Sequence, residues 1–166
     1  RALAMRPDDA AILRDLGATL LQLGQHDEAA SYLENSLRLK PDDLGVHIAL
    51  AVTRESQGRP DDAETLFRRA LAIDPRCAEA HNRLGLLLLA RGDKIGAANA
   101  FSAALAAAPD FAEAHCNMAR IAIESGQLAE GIAHCERAIM LKPDLAEAHN
   151  NLALARKMRA EIAAAI

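Results

Sequence analysis

The side chains best suited to chemistry in this 166-residue chain are histidines and cysteines, and some of them recur at a fixed spacing. His47, His81, His115 and His149 stand 34 residues apart, and imidazole is a common ligand for transition metals. His115-Cys116 and His134-Cys135 make two adjacent pairs, the mixed nitrogen and sulfur donor set that suits zinc. Geometry argues against both. Equivalent positions on neighbouring packed helices lie on the order of 10 Å apart, beyond the reach of one ion. Adjacent residues on a helix point about 100° apart, so the members of a His-Cys pair do not face one site. The histidine column therefore reads as packing or hydrogen bonding, and no metal is expected. The chain also lacks a phosphate-binding Gly loop followed by Lys-Ser/Thr, a nucleophile-elbow serine and a His-Glu-x-x-His segment. No catalytic residue and no cofactor are expected, so the protein reads as a non-enzyme.

The step that aligns the histidines runs through the entire chain. Pro7, Pro41, Pro75, Pro109 and Pro143 are each 34 residues apart, and Gly24, Gly58, Gly92 and Gly126 keep the same step. A helix-length apolar pattern separates each Pro from the next Gly, and a second one separates that Gly from the following Pro. Each repeat is thus a helical hairpin. The Gly fits the left-handed residue that ends a first helix, and the Pro marks the exit of a second. Asp110-x-x-Glu113 and Asp144-x-x-Glu147 have capping-box spacing, Asp8 and Asp42 are candidate caps without the box, and Pro60 suits the first turn of a helix.

Aligned on their prolines, the repeats form columns. Small residues recur at Gly17, Ala51, Gly85, Ala119 and Ala153 in first helices and at Ala29, Ala63, Ala97 and Gly131 in second helices. Another small column is Ala2, Ser36, Ala70, Ala104 and Ala138, and large residues stand at Leu16, Leu50, Leu84, Met118 and Leu152. Small beside large lets helix backbones approach closely, and each hairpin then needs its neighbours to bury both faces.

Composition limits the partners. The net charge is −4 with both signs interspersed, which argues against a phosphate-backbone partner, so no nucleic acid is expected. The run LGLLLLA stops at Arg91, Gly92 and Asp93, far short of the roughly 20 apolar residues of a membrane span, so no membrane insertion is expected. Three cysteines, Cys77, Cys116 and Cys135, are an odd count without metal spacing, which suits a reducing compartment and a cytoplasmic location.

The small, large and Pro columns together resemble the tetratricopeptide repeat from end to end. The resemblance implies an all-α, right-handed superhelix of antiparallel helix pairs in a single array over residues 1–166. A half-repeat covers 1–7, full repeats cover about 10–43, 44–77, 78–111 and 112–144, and a C-terminal capping helix covers about 145–166. That last helix departs from the pattern, with Ala160 where a Gly would close the hairpin. The segments AEAHNRLG, AEAHCNMA and AEAHNNLA are similar to repeats of O-linked N-acetylglucosamine transferases and of bacterial proteins that carry such an array beside a transferase domain.

By the same resemblance, first helices line a concave groove that holds a protein or peptide. The implied partner-binding residues are Asn82, Arg83, Leu86, Asn117, Arg120, Asn150 and Asn151. Asn117 and Asn151 stand where transferase-like arrays carry an asparagine ladder on peptide backbone, although Asp15, Ala49 and Arg83 interrupt it. No register supplies the Lys, Asn and Arg set that clamps a C-terminal carboxylate. The leading expectation is a protein-interaction module. The alternatives are the substrate-recruiting arm of a larger bacterial transferase and a scaffold that forms homo-oligomers through the exposed ends of the array.

Overall fold

The computed structural model describes residues 9–165; the half-repeat expected over residues 1–7 lies outside them. Among the described residues the chain forms nine α-helices: α1 (Ala10–Gln22), α2 (His26–Leu39), α3 (Leu44–Ser56), α4 (Pro60–Ile73), α5 (Ala78–Ala90), α6 (Lys94–Ala107), α7 (Ala112–Glu124), α8 (Leu128–Leu141) and α9 (Ala146–Ala164). Odd-numbered helices are the first members of the sequence repeats and even-numbered helices the second.

The turns follow from backbone chemistry. Gly24, Gly58, Gly92 and Gly126 have φ of 74°, 70°, 82° and 77°, the left-handed conformation in which a Cβ costs about 1–2 kcal/mol. After Leu23, the Gly24 N–H donates to the Leu21 carbonyl and the Gln25 N–H to the Leu20 carbonyl, the paired bonds of a Schellman ending. The second helices end differently. Phe111 N–H donates to the Ala108 carbonyl and Leu145 N–H to the Lys142 carbonyl, which closes a tight turn with Pro109 or Pro143 at its second position.

That turn moves the helix caps from where the spacing placed them. Asp110 and Asp144 occupy the third position of the turn, so Phe111 and Leu145 become the N-cap residues and supply no side-chain bond. In the earlier repeats the second residue after the proline is an acid. Asp9 caps α1 through the Ala11 N–H at 2.9 Å, and Asp43 caps α3 through the Val46 N–H at 3.3 Å. The caps are thus Asp9 and Asp43, one residue beyond Asp8 and Asp42. Pro60 opens α4 as expected, followed by Asp61 and Asp62 in its first turn.

The chain divides into two compact units, Arg1–Ala80 and His81–Ile166. In the first, α1 packs on α2, α2 on α3 and α3 on α4. Ala30, Leu33, Val46 and Leu50 form its buried centre, with Leu37, Ala49 and Leu66 against them. A Cβ on Gly17 would lie 2.6 Å from Leu33 Cγ, which explains the small residue there. Ser36 in the small column is buried and donates its hydroxyl to the Ala10 carbonyl at 2.8 Å.

In the second unit, α7 packs on α6, α8 and α9. Ala97, Phe101 and Ile121 form one buried cluster, and Ala119, Ile123, Leu128, Ile132, Cys135 and Ala155 form another. Gly85 lies under the Phe101 ring, where an added Cβ would stand 2.5 Å from its nearest carbon. α9 runs for 19 residues against 13 for α7, because Ala160 carries no left-handed stop.

Candidate functional site

The histidine column is a hydrogen-bonding device. A carbonyl oxygen only accepts, so in each case the imidazole Nε2–H donates: His47 to the Pro41 carbonyl at 2.8 Å, His115 to Pro109 at 3.0 Å and His149 to Pro143 at 2.8 Å. Each bond ties the first turns of a first helix to the proline turn six residues earlier. Among the described residues no group of three or more His, Cys, Asp or Glu side chains is placed to hold a metal ion.

The residues expected to meet a partner all fall in the second unit, on α5, α7 and α9. Asn82 and Asn117 are only 6% and 5% exposed. Asn117 Nδ2–H donates to Asn82 Oδ1 at 2.9 Å, so this bond joins one first helix to the next. One 34-residue repeat later the same 35-residue step recurs: Asn151 Nδ2–H donates to Cys116 Sγ at 3.6 Å across α7 and α9. The asparagine column therefore reaches back to the preceding first helix. Leu86 is also partly committed, packed against the cluster of Ala97, Phe101 and Ile121.

The other expected residues are more available. Asn150 is exposed, while Asn151, Arg83 and Arg120 are half-buried. Arg83 has a partner within the protein. Arg120 differs, since its Nε is buried without an acceptor, and among the described residues no carboxylate pairs with it. Several other basic side chains of this unit form ion pairs, as with Lys94 and Glu124 at 2.7 Å or Arg156 and Glu136 at 3.0 Å. An arginine held without a counter-ion is a donor fork open to a carboxylate.

Cys116 is the contributor that the spacing undervalued. It is 2% exposed, and burial, with a smaller contribution from Glu147, pushes its thiol up to about 12. It is an uncharged acceptor for Asn151 and no nucleophile. The signal was present in the columns, since Cys116 stands one repeat after Asn82 and one before Asn150.

The sequence profile of the tetratricopeptide repeat matches residues 20–87 and 88–158, which together take in most of the chain. This chain belongs to the tetratricopeptide repeat family. Solved structures agree with the repeat fold. MamA from Desulfovibrio magneticus RS-1 is 25% identical, with 90% of this chain and 85% of that chain covered at a TM-score of 0.77. TTC0263, a thermophilic tetratricopeptide repeat protein of Thermus thermophilus, is 25% identical, covering 93% and 85% at 0.74. YrrB, described as a tetratricopeptide repeat protein with an unusual peptide-binding site, is 16% identical, covering 95% and 81% at 0.74, and informs the fold alone. No curated protein matches the sequence. As a tetratricopeptide repeat protein the chain has the all-α class of helix pairs that its columns imply. No helix among the described residues is long and apolar enough to cross a membrane.

Proposed function

We propose that this tetratricopeptide repeat protein is an interaction module rather than an enzyme, and that it holds a peptide or protein segment on the first-helix face of α5, α7 and α9. The observation that carries the reading is Arg120, whose buried Nε has no acceptor on the same helix as Cys116 and Asn117. The Asn117–Asn82 and Asn151–Cys116 bonds brace that face, while exposed Asn150 and half-buried Asn151 and Arg83 border it. The bound segment carries a carboxylate opposite Arg120 and offers backbone groups to Asn150 and Asn151. Three free cysteines, two of them buried, support a reducing, cytoplasmic setting.

The test is selection from a random-peptide display library, followed by titration of the selected peptide against the parent chain, Arg120→Ala and Glu136→Ala on α8, each checked for helicity by circular dichroism. The reading expects enrichment of acidic peptides and a loss of about tenfold or more in affinity for Arg120→Ala, with Glu136→Ala unchanged. Equal affinity for all three chains contradicts it.

A second reading has its own observation. On α9 Ala153 is exposed although its column is buried at Gly17, Ala51, Gly85 and Ala119, and Leu154 and Ile162 are 49% and 56% exposed. Such a face supports self-association, and light scattering over a concentration series distinguishes it, because a constant monomer mass removes it.

A further inference from the structure

His115 on α7 and His134 on α8 meet ring to ring, with their Nδ1 atoms 2.9 Å apart and ring centres 5.2 Å apart. An imidazole nitrogen lies about 1.15 Å from its ring centre, so two rings aimed nitrogen to nitrogen at hydrogen-bond distance have centres ~5.2 Å apart. The agreement means that the two Nδ1 atoms point at each other. A bridging metal needs two bonds of about 2.0–2.1 Å each and finds no room on that line; a proton does.

The protein fixes whose proton it is. His115 Nε2–H is committed to the Pro109 carbonyl, so neutral His115 presents a bare Nδ1 and His134 Nδ1–H donates to it. One added proton is accommodated, because His115 can take it at Nδ1 and donate back to a His134 that has moved its own proton to Nε2. A second added proton sets two N–H groups and two positive charges face to face. We propose that His115 and His134 form a one-proton lock between α7 and α8, which stays closed while the pair carries at most one extra proton and opens when both rings are protonated.

The surroundings bear on both steps. On α8, Glu130 favours the charged ring, while burial and then the neighbouring His115 hold His134 below the usual histidine value. Asp110 pairs with Arg137, and Glu113 with Lys142. Lys94, the only ionisable side chain of α6, pairs with Glu124 at the end of α7. α9 contributes Glu147, which acts on Cys116, and His149, which is bonded to its own proline turn. The unfolded chain binds protons at His134 more readily than the folded one. Stability thus falls as pH drops below the ordinary histidine value and through the lowered one.

His149 is an internal control, because it makes the same proline bond with no histidine opposite among the described residues. The experiment follows the imidazole nitrogens of the full chain by NMR against pH, in the parent and in His134→Ala, a change tolerated in kind because Ala100 stands one repeat earlier. His134→Leu, which introduces the residue type that Leu66 holds in the repeat before that, is the second variant of the comparison. The lock predicts two titration steps for the pair, the second at lower pH than the step recorded for the control His149. In either variant His115 returns to a single step. It also predicts a larger drop in urea midpoint from about pH 7.5 to about pH 5 for the parent than for the variants. Single steps for both rings overlapping that of His149, or equal drops in midpoint, overturn the proposal.

Discussion

Asn117 donates its side-chain amide to Asn82 Oδ1 across 2.9 Å, and this pair, buried on both sides, joins the first helices α7 and α5. A buried amide without its partner loses the water it had in the unfolded chain and gains nothing in return. Asn82 and Asn117 accordingly support the face on which Arg120 stands, and their primary contribution is to its rigidity.

Removing either amide strands the other. Asn82→Ala and Asn117→Ala should each cost about 1–3 kcal/mol in urea unfolding. The double variant should be less destabilised than the sum, because the bond is lost only once. Strict additivity would mean that the two amides are not coupled.

Gly85 and Phe101 make a steric prediction. A Cβ at Gly85 would stand 2.5–2.9 Å from three ring carbons of Phe101, which is fully buried. Gly85→Ala should lose about 1–3 kcal/mol of stability. Ala51 and Phe67 occupy the same two columns one repeat earlier and are both buried, so Ala and Phe are compatible where helix spacing is set for them. Adding Phe101→Leu to Gly85→Ala should therefore cost less than Phe101→Leu costs alone in the parent, which chemical denaturation of the four chains measures.

Thiol reactivity should follow burial. Cys77 is partly exposed, whereas Cys116 and Cys135 are buried and free, and burial raises both of their thiol pKa values, that of Cys116 to about 12. A maleimide or disulfide reagent applied to the folded chain should modify Cys77 first. Cys116 and Cys135 should react only as the chain unfolds, which peptide mass mapping over time will register.

The Glu113–Lys142 ion pair, 2.9 Å long and half exposed on both sides, gives a pH dependence of known sign. The hydrogen bond from Lys142 lowers the carboxyl of Glu113, and the same bond raises the ammonium of Lys142. Its contribution is present above the ordinary carboxylate range and is lost as pH falls through the lowered value; at the alkaline end it is lost as pH rises through the raised lysine value. Lys142→Met should be slightly less stable than the parent near neutrality and indistinguishable from it in strong acid. Added salt should shrink the neutral difference.

The fold was legible because the repeat writes each turn twice, in a glycine and in a proline. The glycines at positive φ and the small residue under Phe101 follow directly from the columns. The caps were misplaced by one residue because a proline turn consumes Asp110 and Asp144 before the helix begins. The face on α5, α7 and α9 was legible as a set of positions but not as a set of roles. Spacing shows that Asn117 and Asn151 share one column and that Asn82, Cys116 and Asn150 share the column beside it; it does not show that Asn117 turns back to Asn82, or that Asn151 turns back to Cys116. Nor does it show that His134, which shares its column with Leu66 and Ala100 rather than with other histidines, meets His115.

The central claim is that the first-helix face does the binding. Its most direct test is amide chemical-shift mapping of the full chain while an acidic peptide selected on it is titrated in. The account predicts perturbations concentrated on α7 and α9 around Arg120, Asn150 and Asn151, and their loss in Arg120→Ala. Perturbations confined to the second helices α6 and α8, or unchanged in that variant, would contradict it.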